Sequence, residues 1–343
     1  MVAVVMNVIA GDIGGTKTIL AVYTTEGGPR APLAEKSYPS RHYETFEAIV
    51  REFLDDTRLH AERACLGVAG PVVTGRARVT NLTWVVDASV LRSEFGWSDV
   101  ILLNDMQSVG CAIPVLRDED RFTLNEGISV PGGSIAVLAP GTGLGEGFLS
   151  FHDGAYRAFP SEGGHAAFAP VGPLQIGLLA HMNAQGYDHV SVERVCSGRL
   201  GIPNLYAYLK TTGLEEPDWL AAELAAADDP TPVILRAAQG EGRQAELAAA
   251  VLDLFVLILG AEAGNLALKV LATGGVYLAG GISPRILGEL QRPGFLEALR
   301  AKGRFREVLT VMPVHVILDP GAGLLGAAAC GLAEAQRGRR GPV

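Results

Sequence analysis

The stretch VIAGDIGGTKTILAVY, Val8 to Tyr23, contains two apolar runs separated by a glycine-rich loop. Apolar runs of this length, bounded by glycine, predict two buried strands joined by a tight turn. The pattern recurs at IAVLAPGTGLGEGFLSF, Ile135 to Phe151. In each half a later predicted strand, Cys65–Val68 or Val276–Ala279, is also followed by glycine, at Gly70 or at Gly280. The chain therefore consists of two halves with the same pattern.

Helical patterns alternate with these strands. Apolar residues recur at helical spacing over Tyr43–His60, which predicts an amphipathic helix. The longest helix is predicted at Gln244–Leu271, whereas the composition of Glu215–Pro232, rich in Ala, Asp and Pro, predicts a mobile surface segment. The alternation predicts an α/β fold made of two lobes with a cleft between them.

The composition excludes several classes of protein. Of the 343 residues 48% are hydrophobic, and the net charge of −9 argues against extended contact with nucleic acid. No uninterrupted apolar run reaches the ~18 residues of a membrane span; the closest, Leu247–Leu259, is interrupted by Asp253 and predicts a buried helix. The four cysteines contain no CxxC pair, which is typical of free thiols in the cytoplasm. The short basic segment Arg337–Arg340 predicts a solvated tail.

A second stretch, ILLNDMQSVG from Ile101 to Gly110, places a carboxylate directly after a predicted strand. Two interpretations of Asn104 and Asp105 are open. Asn and Asp are common helix N-caps, so the pair could start a helix. Ligands of open α/β sheets bind at the carboxyl ends of strands, so Asp105 could also be a catalytic base.

The glycine loops differ from the common nucleotide-binding motifs. Both lie between two strands, whereas a dinucleotide fingerprint or a Walker A loop leads from a strand into a helix. The backbone N–H groups of such loops can bind anions, although tight hairpin turns would also explain the glycines. In the first loop Asp12, Thr16 and Lys17 add a carboxylate, a hydroxyl and a cation, which suit a phosphate and its Mg²⁺.

Eight motifs, in order along the chain, resemble the bacterial ATP-dependent glucokinases, within the superfamily of hexokinase, actin and heat-shock chaperone ATPases. They are GDIGGTKT, GVAGPV with TNLTW, LLNDMQSVGCAIP, GTGLGEG, PSEGGHAAFAP, VSVERVCSG, LAGGISPR and DPGAGLLGA. The resemblance covers nearly the whole chain. It implies two ribonuclease-H-like lobes around a central cleft, with the second lobe enlarged by helical insertions. The boundaries would be a small domain at 1–109 plus 320–343 and a large domain at 110–319.

The resemblance also implies roles for individual residues. Asp105 would be the catalytic base, and the glucose ligands would be Asn104, Asp105, Glu162, His165 and Glu193. The ATP and Mg²⁺ site would consist of Asp12, Gly14, Gly15, Thr16 and Lys17 in the first loop, Gly141, Thr142 and Gly143 in the second, and Gly280 and Gly281 beside the adenosine. Asp12 would hold Mg²⁺ through water. The family also suggests a homodimer.

The residues alone also allow simpler explanations for the presence of the proposed sugar ligands. Glu162 and His165 flank a Gly-Gly bend and offer an acceptor and a donor for ring hydroxyls, but they could belong to a surface loop. Glu193 starts a predicted helix, where an acid compensates the helix dipole. A metal site of Glu162, His165 and Cys196 is a third interpretation, which no ligand-pair spacing supports.

Two positions depart from the glucokinase pattern. Lys17 stands where these enzymes usually have Asn. Lys is commoner there in the repressor/open-reading-frame/kinase family, but this chain has no cysteine-rich zinc motif of the CxCGxxGC type that marks that family. Glu146 places a charge beside the second loop, where an apolar or small residue is expected. Either its side chain points to solvent, or the phosphate-binding interpretation of that loop is weaker.

The predicted function is transfer of the ATP γ-phosphate to the 6-hydroxyl of glucose, giving glucose 6-phosphate and ADP. Asp105 would accept the hydroxyl proton, while Mg²⁺ and the two loops would neutralise the phosphate charge. One alternative is a kinase for another hexose or an amino sugar. Others are a sugar-sensing regulator, which normally carries a helix-turn-helix domain, and an actin-like or chaperone-like ATPase, which would not need these sugar ligands.

Overall fold

The computed structural model describes residues 5–240 and 242–337, and its fold is mixed α/β. The strands are β1 (Asn7–Ile13), β2 (Lys17–Thr24), β3 (Ala34–Pro39), β4 (Arg63–Val68), β5 (Val72–Val73), β6 (Arg76–Arg78), β7 (Val85–Asp87), β8 (Asp99–Asn104), β9 (Arg121–Asn125), β10 (Ile135–Pro140), β11 (Leu144–His152), β12 (Ala155–Ser161), β13 (Gly275–Leu278) and β14 (Val314–Ile317). The helices are α1 (Phe46–Thr57), α2 (Ala88–Phe95), α3 (Asp105–Ala112), α4 (Gly172–Ala184), α5 (Gly201–Lys210), α6 (Asp218–Ala226), α7 (Pro230–Gln239), α8 (Glu246–Val270), α9 (Leu287–Leu290), α10 (Pro293–Arg300), α11 (Arg306–Thr310) and α12 (Ala322–Arg337). The predicted basic tail lies outside the described residues from position 338 onward.

The chain divides into two compact units. The first consists of Met1–Asp118, His152–Pro160 and Asp319–Val343, and the second of Glu119–Phe151 and Ser161–Leu318. The five helices from α4 to α8 all belong to the second unit.

The sheets of the two units share a topology. In the first unit the strand order is β3-β2-β1-β4-β8, with β1 and β2 antiparallel and β1, β4 and β8 parallel. In the second unit the order includes β11-β10-β13-β14-β9, where β10 and β11 form the antiparallel hairpin and β13 and β14 follow in parallel. The repeated sequence pattern therefore corresponds to a repeated strand arrangement.

Helices cover both faces of the first sheet. On one face Ile9 and Leu66 pack in the cluster that buries Phe53 of α1. On the other face Ala10 and Cys65 pack against α12. Successive strand side chains point to opposite faces, so the continuous apolar runs of β1 and β4 are explained by burial on both sides.

The longest helix, α8, lies in the core of the second unit. It has 25 residues and is long and apolar enough to cross a membrane by length and composition, with a mean hydropathy of 2.0 over its most apolar window. Yet 78% of that window is buried inside the structure. A Cβ at Gly264 would overlap the carbonyl oxygen of Leu299, so α10 packs directly on this helix. The prediction of a buried helix is confirmed.

The segment Glu215–Pro232, predicted to be a mobile surface segment, is largely helical. It contains α6 and the start of α7. Pro230 occupies the first turn of α7, where a missing N–H costs nothing, and Asp229 caps the helix by accepting a hydrogen bond from the Thr231 N–H at 3.0 Å. The Asp and Pro residues therefore start a helix.

Candidate active site

The predicted site residues of the first unit lie at the carboxyl ends of parallel strands. Ile13, Val68 and Asn104 pair across β1, β4 and β8, so Asp12 and Asp105 lie at the same edge of the sheet. The sequence placed Asp12 in a loop, which was wrong by a few residues. Asp12 belongs to β1 because its backbone pairs with Ile19 in the hairpin.

Asn104, and not Asp105, is the N-cap of α3. Its side-chain oxygen accepts a hydrogen bond from the Gln107 N–H at 2.7 Å, and the Gln107 side chain accepts from the Asn104 N–H at 3.3 Å. These reciprocal bonds form a capping box. Asp105 is the first helical residue and is exposed, with Oδ1 accepting from the Met106 N–H at 2.9 Å. The cap and the candidate base are thus different residues.

Asp12 is electrostatically coupled to Asp105 and Lys17. Burial raises the pKa of Asp12 above its ordinary value, the Asp105 carboxylate raises it further, and the Lys17 ammonium opposes the shift. Lys17, at the start of β2, is exposed. The edge of the sheet therefore holds two acids that repel each other and one cation.

The start of α12 was missed as part of this site. A Cβ at Gly323 would lie 2.9 Å from Oδ2 of Asp12, so the helix approaches the carboxylate closely at this glycine. The Ser108 hydroxyl of α3 donates to the Gly323 carbonyl at 2.8 Å, which links α12 to the helix that begins with Asp105. The signal was present in the small residues of DPGAGLLGA.

The first glycine loop is a tight hairpin. The Gly14 N–H donates to the Lys17 carbonyl at 3.0 Å, and the Ser40 N–H donates to the Thr16 carbonyl at 3.0 Å. A Cβ at Gly15 would lie 2.6 Å from the Thr80 carbonyl, so this position requires glycine. Thr16 is exposed at the tip.

The second glycine loop lies beside the Gly280–Gly281 turn. The Gly198 N–H donates to the Gly141 carbonyl at 2.8 Å, and the Arg199 N–H donates to the Thr142 carbonyl at 3.2 Å. Gly280 follows the neighbouring parallel strand β13 with φ +76°, and a Cβ there would lie 2.5 Å from the Pro140 carbonyl. The structure therefore brings together the two glycine segments that the sequence predicted for ATP.

The other predicted sugar ligands, Glu162, His165 and Glu193, lie close together in the second unit. His165 Nε2 is 3.8 Å from Oε2 of Glu162, and His165 Nδ1 is 4.0 Å from Oε1 of Glu193. The side chains of Glu162 and His165 are 73% and 61% exposed, so both can reach a ligand. This set lies on two segments bridged by the pair Ala167–Ser191.

Glu193 also contacts the second glycine loop. Its Oε2 accepts a hydrogen bond from the Leu144 N–H at 3.0 Å, and a Cβ at Gly143 would overlap the same oxygen. The prediction that Glu193 starts a helix was wrong: it lies in a turn closed by hydrogen bonds from Arg194 to Ser191 and from Val195 to Val192. Glu193 joins the proposed sugar and phosphate segments.

Glu146 does not point to solvent, which was the first of the two explanations offered by the sequence. It is 1% exposed, and burial, followed by the neighbouring Glu262, raises its pKa to about 7, while Lys269 opposes the shift. A Cβ at Gly163 would overlap Oε2 of Glu146. The acid therefore lies under the bend between Glu162 and His165.

The metal interpretation of Glu162, His165 and Cys196 has no support. Within residues 5–240 and 242–337, no group of three or more His, Cys, Asp or Glu side chains could hold a metal ion. Cys196 is fully buried, whereas Glu162 and His165 are exposed.

Comparisons with known proteins identify the family of the chain. The sequence model of the family described as Glucokinase matches residues 9–334. A glucokinase from Nostoc sp. is 42% identical over 94% of this chain and 98% of its own length. The structure of a glucokinase from an Antarctic psychrotroph is 30% identical, with a TM-score of 0.80 over 94% of this chain and 98% of that one. A ROK family glucokinase from Streptomyces griseus, solved in complex with glucose and AMPPNP, is 21% identical; its TM-score of 0.61 over 95% of this chain and 99% of that one shows a shared fold. The chain belongs to the glucokinase family.

Proposed function

We propose that this protein transfers the γ-phosphate of ATP to the 6-hydroxyl of glucose. The observation that carries the proposal is the position of Asp105, exposed at the carboxyl edge of the first sheet beside Asp12, while Asn104 performs the capping. Phosphoryl transfer needs positioning, charge neutralisation and an acceptor for the proton of the attacking hydroxyl. Asp105 supplies the acceptor.

Two acids with one cation nearby fit a Mg²⁺ site. Mg²⁺ keeps several waters and binds through one or two carboxylates together with substrate phosphates. Asp12 would hold such an ion through water, and Lys17, which commonly replaces Asn in related sugar kinases, would add charge toward the phosphates. Bound Mg²⁺ neutralises phosphate charge during transfer. The first loop, Gly14 to Lys17, and the second, Gly141 to Gly143, would bind the phosphates, with Gly280 and Gly281 beside the adenosine.

The proposed glucose ligands offer fixed hydrogen-bond partners to the ring hydroxyls. Glu162 and Glu193 supply acceptors, and each has a carboxylate oxygen within 4.0 Å of a ring nitrogen of His165. Asn104 has its side-chain oxygen committed to the α3 cap, so its NH₂ group is the part offered to a hydroxyl. A site built for hydroxyl groups rejects ligands that lack them, because its polar groups then stay unpaired.

We further propose that the two units act as ribonuclease-H-like lobes, with the functional boundaries at 1–109 plus 320–343 and at 110–319. The repeated strand order supports this proposal. A homodimer is proposed from the family resemblance, and sedimentation velocity tests it. The four cysteines are free thiols, which supports a cytoplasmic location.

A coupled assay tests the proposed reaction. Purified protein with glucose, ATP and Mg²⁺ is expected to form glucose 6-phosphate, because the acids and glycine loops match the needs of phosphoryl transfer. A panel of hexoses and amino sugars run alongside identifies the preferred acceptor. Turnover with another sugar but none with glucose would move the assignment to that kinase. Sugar binding without turnover of any sugar would favour a regulator.

Alanine substitutions test the proposed sugar ligands. Glu162→Ala and Glu193→Ala each remove a charged acceptor, which is worth about 1.5–3 kcal/mol, so each should raise the glucose Kd roughly tenfold to a hundredfold. His165→Ala should also raise it. Glu193→Ala should additionally raise the KM for ATP, since the Leu144 N–H loses its acceptor. Calorimetric titration and initial rates measure both effects, with the exposed Glu297→Gln as control.

Unchanged glucose affinity in all three variants would contradict the sugar assignment. Glu193→Gln separates the two roles of Glu193, because its amide oxygen can still accept from the Leu144 N–H. This variant should keep the parental KM for ATP more closely than Glu193→Ala does.

A further inference from the structure

Glu146 is a buried acid that the proposed reaction does not use. It is 1% exposed, and neither of its carboxylate oxygens has a hydrogen-bond partner within residues 5–240 and 242–337. A buried polar group without a partner costs free energy, and a charged one costs far more. A carboxyl group in this place therefore needs a physical explanation.

Glu146 is in direct contact with the bend that carries two proposed glucose ligands. A Cβ at Gly163 would overlap Oε2 of Glu146, and a Cβ at Gly164 would overlap the Leu144 carbonyl oxygen. From the other direction, the Glu193 N–H donates to the Gly164 carbonyl at 2.9 Å. The bend is thus held between β11 and Glu193, and its position determines where its flanking side chains lie.

The groups around Glu146 do not compensate a negative charge. Glu262 of α8 is 4% exposed and pairs with Lys269 at 3.5 Å and with the Asn265 side chain at 2.8 Å. Lys269 therefore already has an acidic partner. The Lys302 ammonium donates to the Asn265 side-chain oxygen at 2.6 Å.

The remaining titratable neighbours also do not compensate a negative charge on Glu146. Burial and then the two acids Glu262 and Glu146 raise the pKa of the Cys196 thiol, which stays uncharged. The bend itself carries Glu162 and His165, which lie 3.8 Å apart as a pair. Burial is the main reason that the pKa of Glu146 is raised to about 7.

We propose that Glu146 is a positioning residue for glucose binding: its uncharged carboxyl group supports the Gly163–Gly164 bend, and its ionisation displaces the bend and weakens binding. This inference rests on the proposed function, since it concerns the turn that holds Glu162 and His165. An ionised carboxylate here is buried and unpaired, and it can gain water only by pushing the bend aside.

The direction of the pH effect follows from the raised pKa. An unfolded Glu ionises near its ordinary value of 4.5, whereas Glu146 in the folded protein ionises at about 7. Its contribution to stability is therefore fully present below the unfolded pKa and is lost as the pH rises through about 7. Glucose affinity is expected to fall over the upper part of the same range.

Calorimetric titration with glucose, without ATP, tests the inference on the full chain. Between about pH 6 and about pH 8.5 the parent Kd should rise tenfold or more, because affinity falls up to tenfold per unit above the pKa. Glu146→Gln keeps the size of the uncharged acid and cannot ionise, so its Kd should change less than about threefold over the same range. The control Glu297→Gln, an exposed acid on α10, should follow the parent profile.

Steady-state kinetics add a measurement that a purely structural role would not change. At high pH the parent should show a raised glucose KM with kcat at saturating glucose largely retained, and Glu146→Gln should have the lower KM. If Glu146→Gln shows the same pH slope as the parent, the positioning role is overturned while the proposed function stands. A parent that neither binds nor phosphorylates glucose at about pH 6, below the pKa of Glu146, overturns the proposed function itself.

A second pair of variants tests the contact if Glu146→Gln does not fold. Gly163→Ala should raise the glucose Kd about tenfold or more at all pH values, because overpacking a close contact costs roughly 1–3 kcal/mol. Combining it with Glu146→Ala removes the overlapping carboxyl group and should recover most of that loss. Equal Kd values for Gly163→Ala with and without Glu146→Ala would overturn the proposed contact.

Discussion

Asp105→Asn is expected to lose kcat by about 10²–10⁴-fold, the range typical of a removed general base. The amide keeps the shape of the carboxylate and can still hydrogen-bond a hydroxyl, but it cannot accept the proton of the 6-hydroxyl. Glucose binding should therefore persist in weakened form. The measurement is kcat at saturating substrates together with the glucose Kd on one preparation.

Folding should be almost unaffected by Asp105→Asn. The α3 cap is made by Asn104 and Gln107, so the substitution leaves both capping hydrogen bonds in place. The melting temperature should stay within about 3 °C of the parent, which corresponds to about 1 kcal/mol or less.

Asp218→Asn is the matched control for Asp105→Asn, because Asp218 is an exposed acid at the first position of α6. The Asp218→Asn variant loses the same favourable interaction between an acid and a helix N-terminus but should retain parental kcat. A well-folded Asp105→Asn protein that keeps more than about a tenth of the parental kcat would contradict the role of base.

Asp12→Asn is expected to lower kcat on the order of 10²–10³-fold, the size of effect seen when one preorganised charge-stabilising group is removed. Asn can still bond a water molecule but brings no negative charge to Mg²⁺. The Mg²⁺ concentration that gives half-maximal rate should rise. Titration of the rate with Mg²⁺ at saturating ATP and glucose measures both effects.

Stability should move in the opposite direction from activity in Asp12→Asn. The folded protein holds the pKa of Asp12 above its ordinary value, mainly through burial and then through Asp105. The contribution of Asp12 to stability is therefore present below the ordinary pKa and is lost as the pH rises through the raised one. At neutral pH the variant should melt at or above the parental temperature.

An unchanged kcat and Mg²⁺ dependence in Asp12→Asn would contradict its assignment to the metal and phosphate site. A large fall in melting temperature would instead indicate a structural role at the end of β1. Asp99→Asn changes a half-buried acid at the amino end of β8 that pairs with Arg63 at 3.5 Å, and it is a control for loss of a carboxylate on the same sheet.

The local sequence pattern was sufficient to predict the helices and strands whose formation depends on neighbouring residues. The two glycine hairpins, the strands before and after them and the long helix α8 were all predicted, because apolar periodicity and glycine turns act over a few residues. The ends of the helices and strands were harder to predict from the sequence. Asp12 joined β1 through pairing with Ile19, and the end of the segment Glu215–Pro232 starts α7 through the Asp229 cap and Pro230 in the first turn.

What the sequence alone determined is the inventory of chemical groups and their order along the chain: Asp12 at the first glycine loop, then Asn104 and Asp105 at the end of a later strand, then Glu162, His165 and Glu193. The tertiary structure decided which of them share an environment. Strand pairing places Asp12 beside Asp105, the approach of α12 brings Gly323 against the Asp12 carboxylate, and packing against the Gly163 bend helps to bury Glu146. The physical reason is that burial and charge coupling depend on distances between residues far apart in the chain, which local pattern does not contain.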